Sequence, residues 1–263
     1  LLVRSGEGNQ TSYFNAYTFF VLPHGLLAMS IATTFLPEMS RAVTDKDRPR
    51  FIARSSLGIR LVALLTVPAG FGLFVLRRPV IGLALQHGEF TADDALLASR
   101  ALAGFALGLG AFSVYLFVLR AFYAHQDART PCLVNVVENA LNIALAFVLY
   151  DRFGVIGISA SFAIAYNVSA LWALQSLSYK VRGFALRGTL TGILRIVLAA
   201  VVMAEAVWAV TQLMGDNAGA GAALRVVVGG VVGVGVYLSV LLILQAPEIE
   251  ELRTRFRPSP PLP

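Results

Sequence analysis

The sequence predicts an all-α fold: a polytopic transmembrane bundle of seven helices. Three observations predict it. Charged residues make up 14% of the 263 residues, against about 25% in a soluble globular domain. Hydrophobic residues reach 57% and the mean hydropathy is +0.73, more apolar surface than a soluble chain of this length can hide. The apolar residues also fall into seven charge-poor stretches, each close to the roughly 20 residues a helix needs to cross the hydrocarbon core. The stretches are too long, and lack the alternation, for a membrane β-barrel. A soluble enzyme and a nucleic-acid-binding domain are poor readings of this composition.

The first span lies within Tyr13–Pro37, where no charge interrupts the chain from Gly8 onward. The second is Ser55–Leu76, with Arg60 one turn inside and able to snorkel to the headgroups. The third is Ala101–Leu119 and the fourth Pro131–Tyr150, broken only by Glu138. The fifth, sixth and seventh are Phe153–Tyr179, Thr189–Met214 and Val226–Pro247. Thr91 with Asp94 has the capping-box form ahead of the third span, and Thr130-Pro131 reads as an N-cap with proline at the first helical position. Pro23 with Gly25, and Pro68 with Gly70 and Gly72, should kink the first and second spans.

Orientation follows from the basic residues of alternate loops. Fifteen of the 21 Lys and Arg fall on one set of connections, which nets +8; the other set nets zero. Glu138 and Glu205, at membrane depth, complete the net +6. The basic side is cytoplasmic, so the C-terminus is too, and the surplus that would suggest a nucleic-acid partner is a topology signal. The chain opens on Leu1-Leu2-Val3 without methionine, which reads as the end of an earlier helix. Pro258 to Pro261 reads as a linker.

Chemistry is sparse. No phosphate-binding G-x-x-x-x-G-K-[ST] or nucleophile-elbow G-x-S-x-G occurs. His24, His87 and His125 lie far apart without ligand spacing, and a lone Cys132 excludes an internal disulfide. No catalytic residue, cofactor or metal site is expected.

The fourth span is more informative. Asn135, Glu138, Asn139 and Asn142 recur at i, i+3, i+4 and i+7, one helical face. A charge at bilayer depth costs at least about 2.5 kcal/mol on insertion scales, so this face needs a polar cavity or polar partners. It is either a cation or proton site centred on Glu138 or a hydrogen-bonded seam between helices. In the first span, Asn15, Tyr17, Thr18 and His24 line a cavity or, with Tyr13, form an interfacial belt. Gly104/Gly108 and Gly229/Gly233 have the small-xxx-small spacing of close helix packing.

Four stretches carry a resemblance: LPHGLLAMSIATTFLPEMSR (Leu22–Arg41), QHGEFTADDALLASRALAGFALGL (Gln86–Leu109), LRAFYAHQDARTP (Leu119–Pro131) and GVIGISASFAIAYN (Gly154–Asn167). In this order they resemble the C-terminal half of MurJ/MviN-type lipid II flippases, in the multidrug/oligosaccharidyl-lipid/polysaccharide exporter superfamily. The resemblance implies helices eight to fourteen of a fourteen-helix protein. On that map residues 1–12 end an upstream helix and form an outer loop. Residues 13–180 form the second transport lobe, 181–247 two C-terminal helices that make a lipid-tail groove, and 248–263 a cytoplasmic tail or linker.

It further implies a multi-pass protein of the bacterial plasma membrane that moves lipid-linked peptidoglycan precursor to the outer leaflet by alternating access. Its implied partners are the bilayer, that precursor and the N-terminal lobe of the same protein. Coupling to Na+, H+ or the membrane potential is left open. Relatives carry a cavity arginine where this chain has Thr18, and an acid where it has Val21, which leaves the pyrophosphate to the first lobe or to His24. This departure and the Ala/Arg/Val-rich style resemble actinobacterial members, in which the tail leads to a cytoplasmic pseudokinase-like region. Export of another polyprenyl-linked glycan or a drug, and a non-transporting scaffold for cell-wall synthesis proteins, are the competing readings.

Overall fold

The computed structural model describes residues 7–86 and 90–244, with side-chain surroundings from residue 10 onward. Residues 1–6, His87 to Glu89 of the second motif, and residues 245–263, which hold the end of the last expected span and the expected tail 248–263, lie outside the described residues. Within them every long element is a helix: α1 (Glu7–Pro23), a π-helical turn (His24–Ala28), α2 (Met29–Thr44), α3 (Arg48–Leu85) and α4 (Ala92–Ala124). Then follow α5 (Arg129–Phe153), α6 (Val155–Lys180), α7 (Leu186–Gln212) and α8 (Gly219–Ile243). With α1, the turn and α2 running on as one, the described residues contain seven helices long and apolar enough to cross a membrane. The expected spans are all present, each longer than its charge-free core or shifted by a few residues, because terminal turns carrying Arg and Asp also fold as helix.

Proline acts differently in its two settings. Pro23 has no N–H to donate, and the ladder after it re-forms with wider spacing, Met29 N–H donating to the His24 carbonyl. Pro68 leaves α3 unbroken from Arg48 to Leu85. There Gly70 permits contact instead: a Cβ on it would lie 2.5 Å from the Ala106 carbonyl of α4.

α4 is the central helix, packed by α1, α2, α3 and α6, and Leu102, Phe105, Leu109, Tyr115 and Phe122 along it are fully buried. α5 packs on α6, while α7 packs on α3 and α8 on both α7 and α3. The expected capping box is formed, the Thr91 hydroxyl accepting from Asp94 N–H and the Asp94 carboxylate from Thr91 N–H. Thr130 is not the cap of α5, as its Ser/Thr-Pro pattern suggested. That helix starts at Arg129, and the Asp127 carboxylate accepts from the N–H groups of Arg129 and Thr130.

The α2–α3 and α4–α5 connections are built alike. Lys46 and Gln126 both sit at φ 56°, the left-handed residue after a helix end. In each turn the next aspartate donates its N–H five residues back, Asp47 to Ala42 and Asp127 to Phe122. The same aspartate side chains then accept from the first turn of the following helix. Lys180, ending α6, binds the Asp127 carboxylate, and Arg48 donates to the Arg182 carbonyl, so three basic turns meet at one end of the bundle.

Candidate functional site

Helix α5 presents its polar stripe partly inward and partly outward. Glu138 is 1% exposed, and its interaction partner across the packing is the Tyr166 hydroxyl of α6. Its Oε1 has no hydrogen-bond partner among the described residues. Asn135 accepts a 2.7 Å bond from the Tyr115 hydroxyl of α4, and Asn142 a 2.9 Å bond from the Ser161 hydroxyl of α6. Asn139 is exposed, and its amide returns to the Asn135 carbonyl. The four therefore divide: three meet α4 and α6, while Asn139 lines a shallow depression on the open face of α5, beside Tyr123, Cys132 and Asn135.

The first-span residues are less united. His24 is buried, its Nδ1 2.9 Å from the Ser113 hydroxyl and its ring 4.7 Å from Phe112. Tyr17 lies edge-on to Phe105, in an aromatic cluster that continues through Phe20, Phe112 and Phe162 to Tyr166. Thr18 is exposed and back-bonded to the Phe14 carbonyl. Asn15 is half-buried. The cluster thus links the turn of the first helix to Tyr166, the neighbour of Glu138. The sequence pattern missed Ser113, Tyr115, Ser161 and Tyr166. They were legible only as polar groups deep in apolar spans, with no sign of which helix each would face.

A second feature is a groove of about 690 Å³ between α3, α7 and α8, lined by residues that include Leu64, Pro68, Gly72, Met203, Gly230 and Leu241. Its lining side chains are apolar apart from Tyr237, whose hydroxyl donates to the Leu64 carbonyl at 2.8 Å. From Leu64 to Leu76 it follows about 18 Å of helix. Glu205 of α7 is exposed and is not among the residues that line it.

At the basic end, the Lys180 ammonium, hydrogen-bonded to Asp127, holds that carboxyl well below the usual carboxylate range, and Thr130 adds to this. Burial pushes the neighbouring His125 imidazole down, Lys180 adding to the shift and Asp127 opposing it. The His125 ring lies 4.3 Å from Phe51.

Comparison with known proteins decides the family, since the family described as "Lipid II flippase MurJ" matches residues 5–229. The chain belongs to the MurJ lipid II flippase family. A curated relative from Vibrio cholerae, named "Probable lipid II flippase MurJ", is 31% identical over 232 residues, 84% of this chain and 43% of its own length. "Lipid II flippase MurJ" of Thermosipho africanus is 29% identical over 170 residues, 64% of this chain and 35% of its own. The solved structure "Lipid II flippase MurJ, inward closed conformation" superposes with a TM-score of 0.77 at 25% identity, over 93% of this chain and 49% of that one. The chain spans about two fifths of the length of the curated relatives it matches. With seven apolar helices of sufficient length, it is a multi-pass membrane protein.

Proposed function

We propose that this chain supplies the second transport lobe and the lipid-tail groove of a flippase. It moves lipid-linked peptidoglycan precursor from the inner to the outer leaflet of the bacterial plasma membrane, as a transporter rather than an enzyme. Its C-terminus is cytoplasmic, on the side of the basic turns. The precursor's charged head crosses between this lobe and the N-terminal lobe of the same protein, while its polyprenyl tail stays in lipid.

The observation that carries the reading is the apolar groove between α3, α7 and α8. A tail of many isoprene units needs a long hydrocarbon-lined track, and this one offers no unengaged polar group to interrupt it. The polar face of α5 supports the rest: Asn135, Glu138 and Asn142 tie α5 to α4 and α6 through single hydrogen bonds and one buried acid. Such a seam can be remade when the lobe rocks, and it makes Glu138 the coupling element.

The groove can be filled without disturbing the helices. A Cβ at Gly72 or Gly230 meets nothing within 4 Å, and both glycines line the groove. Gly72→Phe and Gly230→Leu, introduced at the chromosomal gene, should leave protein in the membrane and stop the precursor from reaching the outer leaflet. If both variants keep normal outer-leaflet precursor and wall synthesis, the proposal fails. A different polyprenyl-linked cargo would leave peptidoglycan precursor untouched while another glycan accumulates inside, and a scaffold would tolerate filling of the groove.

A further inference from the structure

We infer that Glu138 is a proton-binding site, a carboxyl that carries its proton while packed between Tyr115 and Tyr166 and gives it up when α5 moves away from α4 and α6. The inference rests on the coupling reading above and names the ion. It begins with burial. Glu138 is 1% exposed, and one of its oxygens has no hydrogen-bond partner among the described residues. An isolated carboxylate in such a place would leave a full charge unpaired, whereas a protonated carboxyl leaves only a neutral oxygen.

The surroundings suit a proton better than a metal cation. The groups that face the acid are phenols: Tyr166 of α6 at its side, Tyr115 of α4, and beyond them Tyr123 and Tyr17. Among the described residues, no Lys or Arg is one of the groups acting on it. The amide oxygens that a sodium ion would recruit are engaged, Asn135 Oδ1 by Tyr115 and Asn142 Oδ1 by Ser161. Asn139, the remaining amide of the stripe, lies on the outer face.

One polar neighbour of the acid also reaches the open face of α5. Asn135 lines the depression on the open face of α5 and at the same time holds the Tyr115 hydroxyl that stands next to the acid. In the step itself, the Glu138 carboxylate takes one proton from water and becomes a neutral carboxylic acid; release reverses this with no change of redox state. Tyr166 is a positioning residue that fixes the carboxyl through its hydroxyl.

The test uses full-length protein, purified into lipid nanodiscs, and reads the carbonyl stretch of protonated carboxylic acids by infrared difference spectroscopy across a pH titration. A band should be present at neutral pH, be absent in Glu138→Gln, and shift in frequency in Tyr166→Phe, which removes a hydrogen bond but no acid. Replacing K+ by Na+ should leave it unchanged. Absence of any Glu138-dependent band, or its loss on adding Na+ alone, overturns the inference. Flipping measured in the same variants is a separate readout. A normal rate in Glu138→Gln would remove the coupling reading while the band still decides protonation.

Discussion

Gly104 and Ser159 mark a close approach of α4 and α6: a Cβ on Gly104 would lie 2.2 Å from the Ser159 Oγ and 2.7 Å from the Ala160 N. The small-xxx-small spacing continues one turn on, where a Cβ on Gly108 would lie 3.0 Å from the Ala163 Cα. Gly104→Val should therefore destabilise by about 2–3 kcal/mol, seen as a lower melting temperature in detergent. Gly72→Ala, which meets nothing, should change stability by no more than about 1 kcal/mol. Equal effects from the two would mean that helix propensity, and not contact, governs.

The Asp127–Lys180 pair should give the bundle an acid-sensitive end. The pKa of Asp127 is lower in the folded chain than in the unfolded one, so the unfolded state binds more protons and stability rises with pH across the interval between the two values. The contribution is complete above the ordinary aspartate value of about 3.9 and is lost as pH falls through the folded value. Asp127 also caps α5. Asp127→Ala should thus lose about 1 kcal/mol for the cap and up to about 1 kcal/mol for a pair that is partly exposed. Lys180→Met should lose only the second part and flatten the acid limb of a stability–pH curve.

His24 and Ser113 should behave as one unit. Removing the hydroxyl in Ser113→Ala leaves a buried ring nitrogen unpaired, at a cost of about 1–3 kcal/mol. Replacing both groups, as in His24→Phe with Ser113→Ala, should cost less than the sum of the single changes. A double-mutant cycle on thermal unfolding reads the coupling, expected at 0.5 kcal/mol or more by the usual size for contacting residues, roughly 0.5–3 kcal/mol. Strict additivity would place His24 outside this contact.

Orientation can be read with cysteines. In a Cys132→Ser background, Gln126→Cys and Asp216→Cys fall in exposed turns at opposite ends of the helices. A thiol reagent that does not cross the membrane should label Asp216→Cys in intact cells and Gln126→Cys only after lysis. The reverse pattern would invert the assignment made from the basic loops.

Much of this was written locally. The capping box at Thr91 and the glycine pairs could be read because each depends on residues within a turn or two. Thr130 misled because its spacing to Pro131 fits a cap, whereas the helix already begins at Arg129, where Asp127, held by the preceding turn, accepts from the N–H groups of Arg129 and Thr130. The four residues Asn135, Glu138, Asn139 and Asn142 recur at helical spacing, but 3.6-residue periodicity gives only an angle. Asn139 is a small rotation from Asn135, enough to turn it outward.

By itself the sequence determined the all-helical class, the number and approximate limits of the spans, and the division of charge between the two ends. These follow from hydropathy and backbone hydrogen bonding, which act along a single segment. The tertiary structure decided which polar groups meet: Tyr115 with Asn135, Ser161 with Asn142, Tyr166 with Glu138, and Ser113 with His24. It also decided that α3, α7 and α8 leave a groove open. Those outcomes depend on how helices distant in sequence rotate and approach one another, and side-chain volume at the contacts, glycine above all, sets that approach.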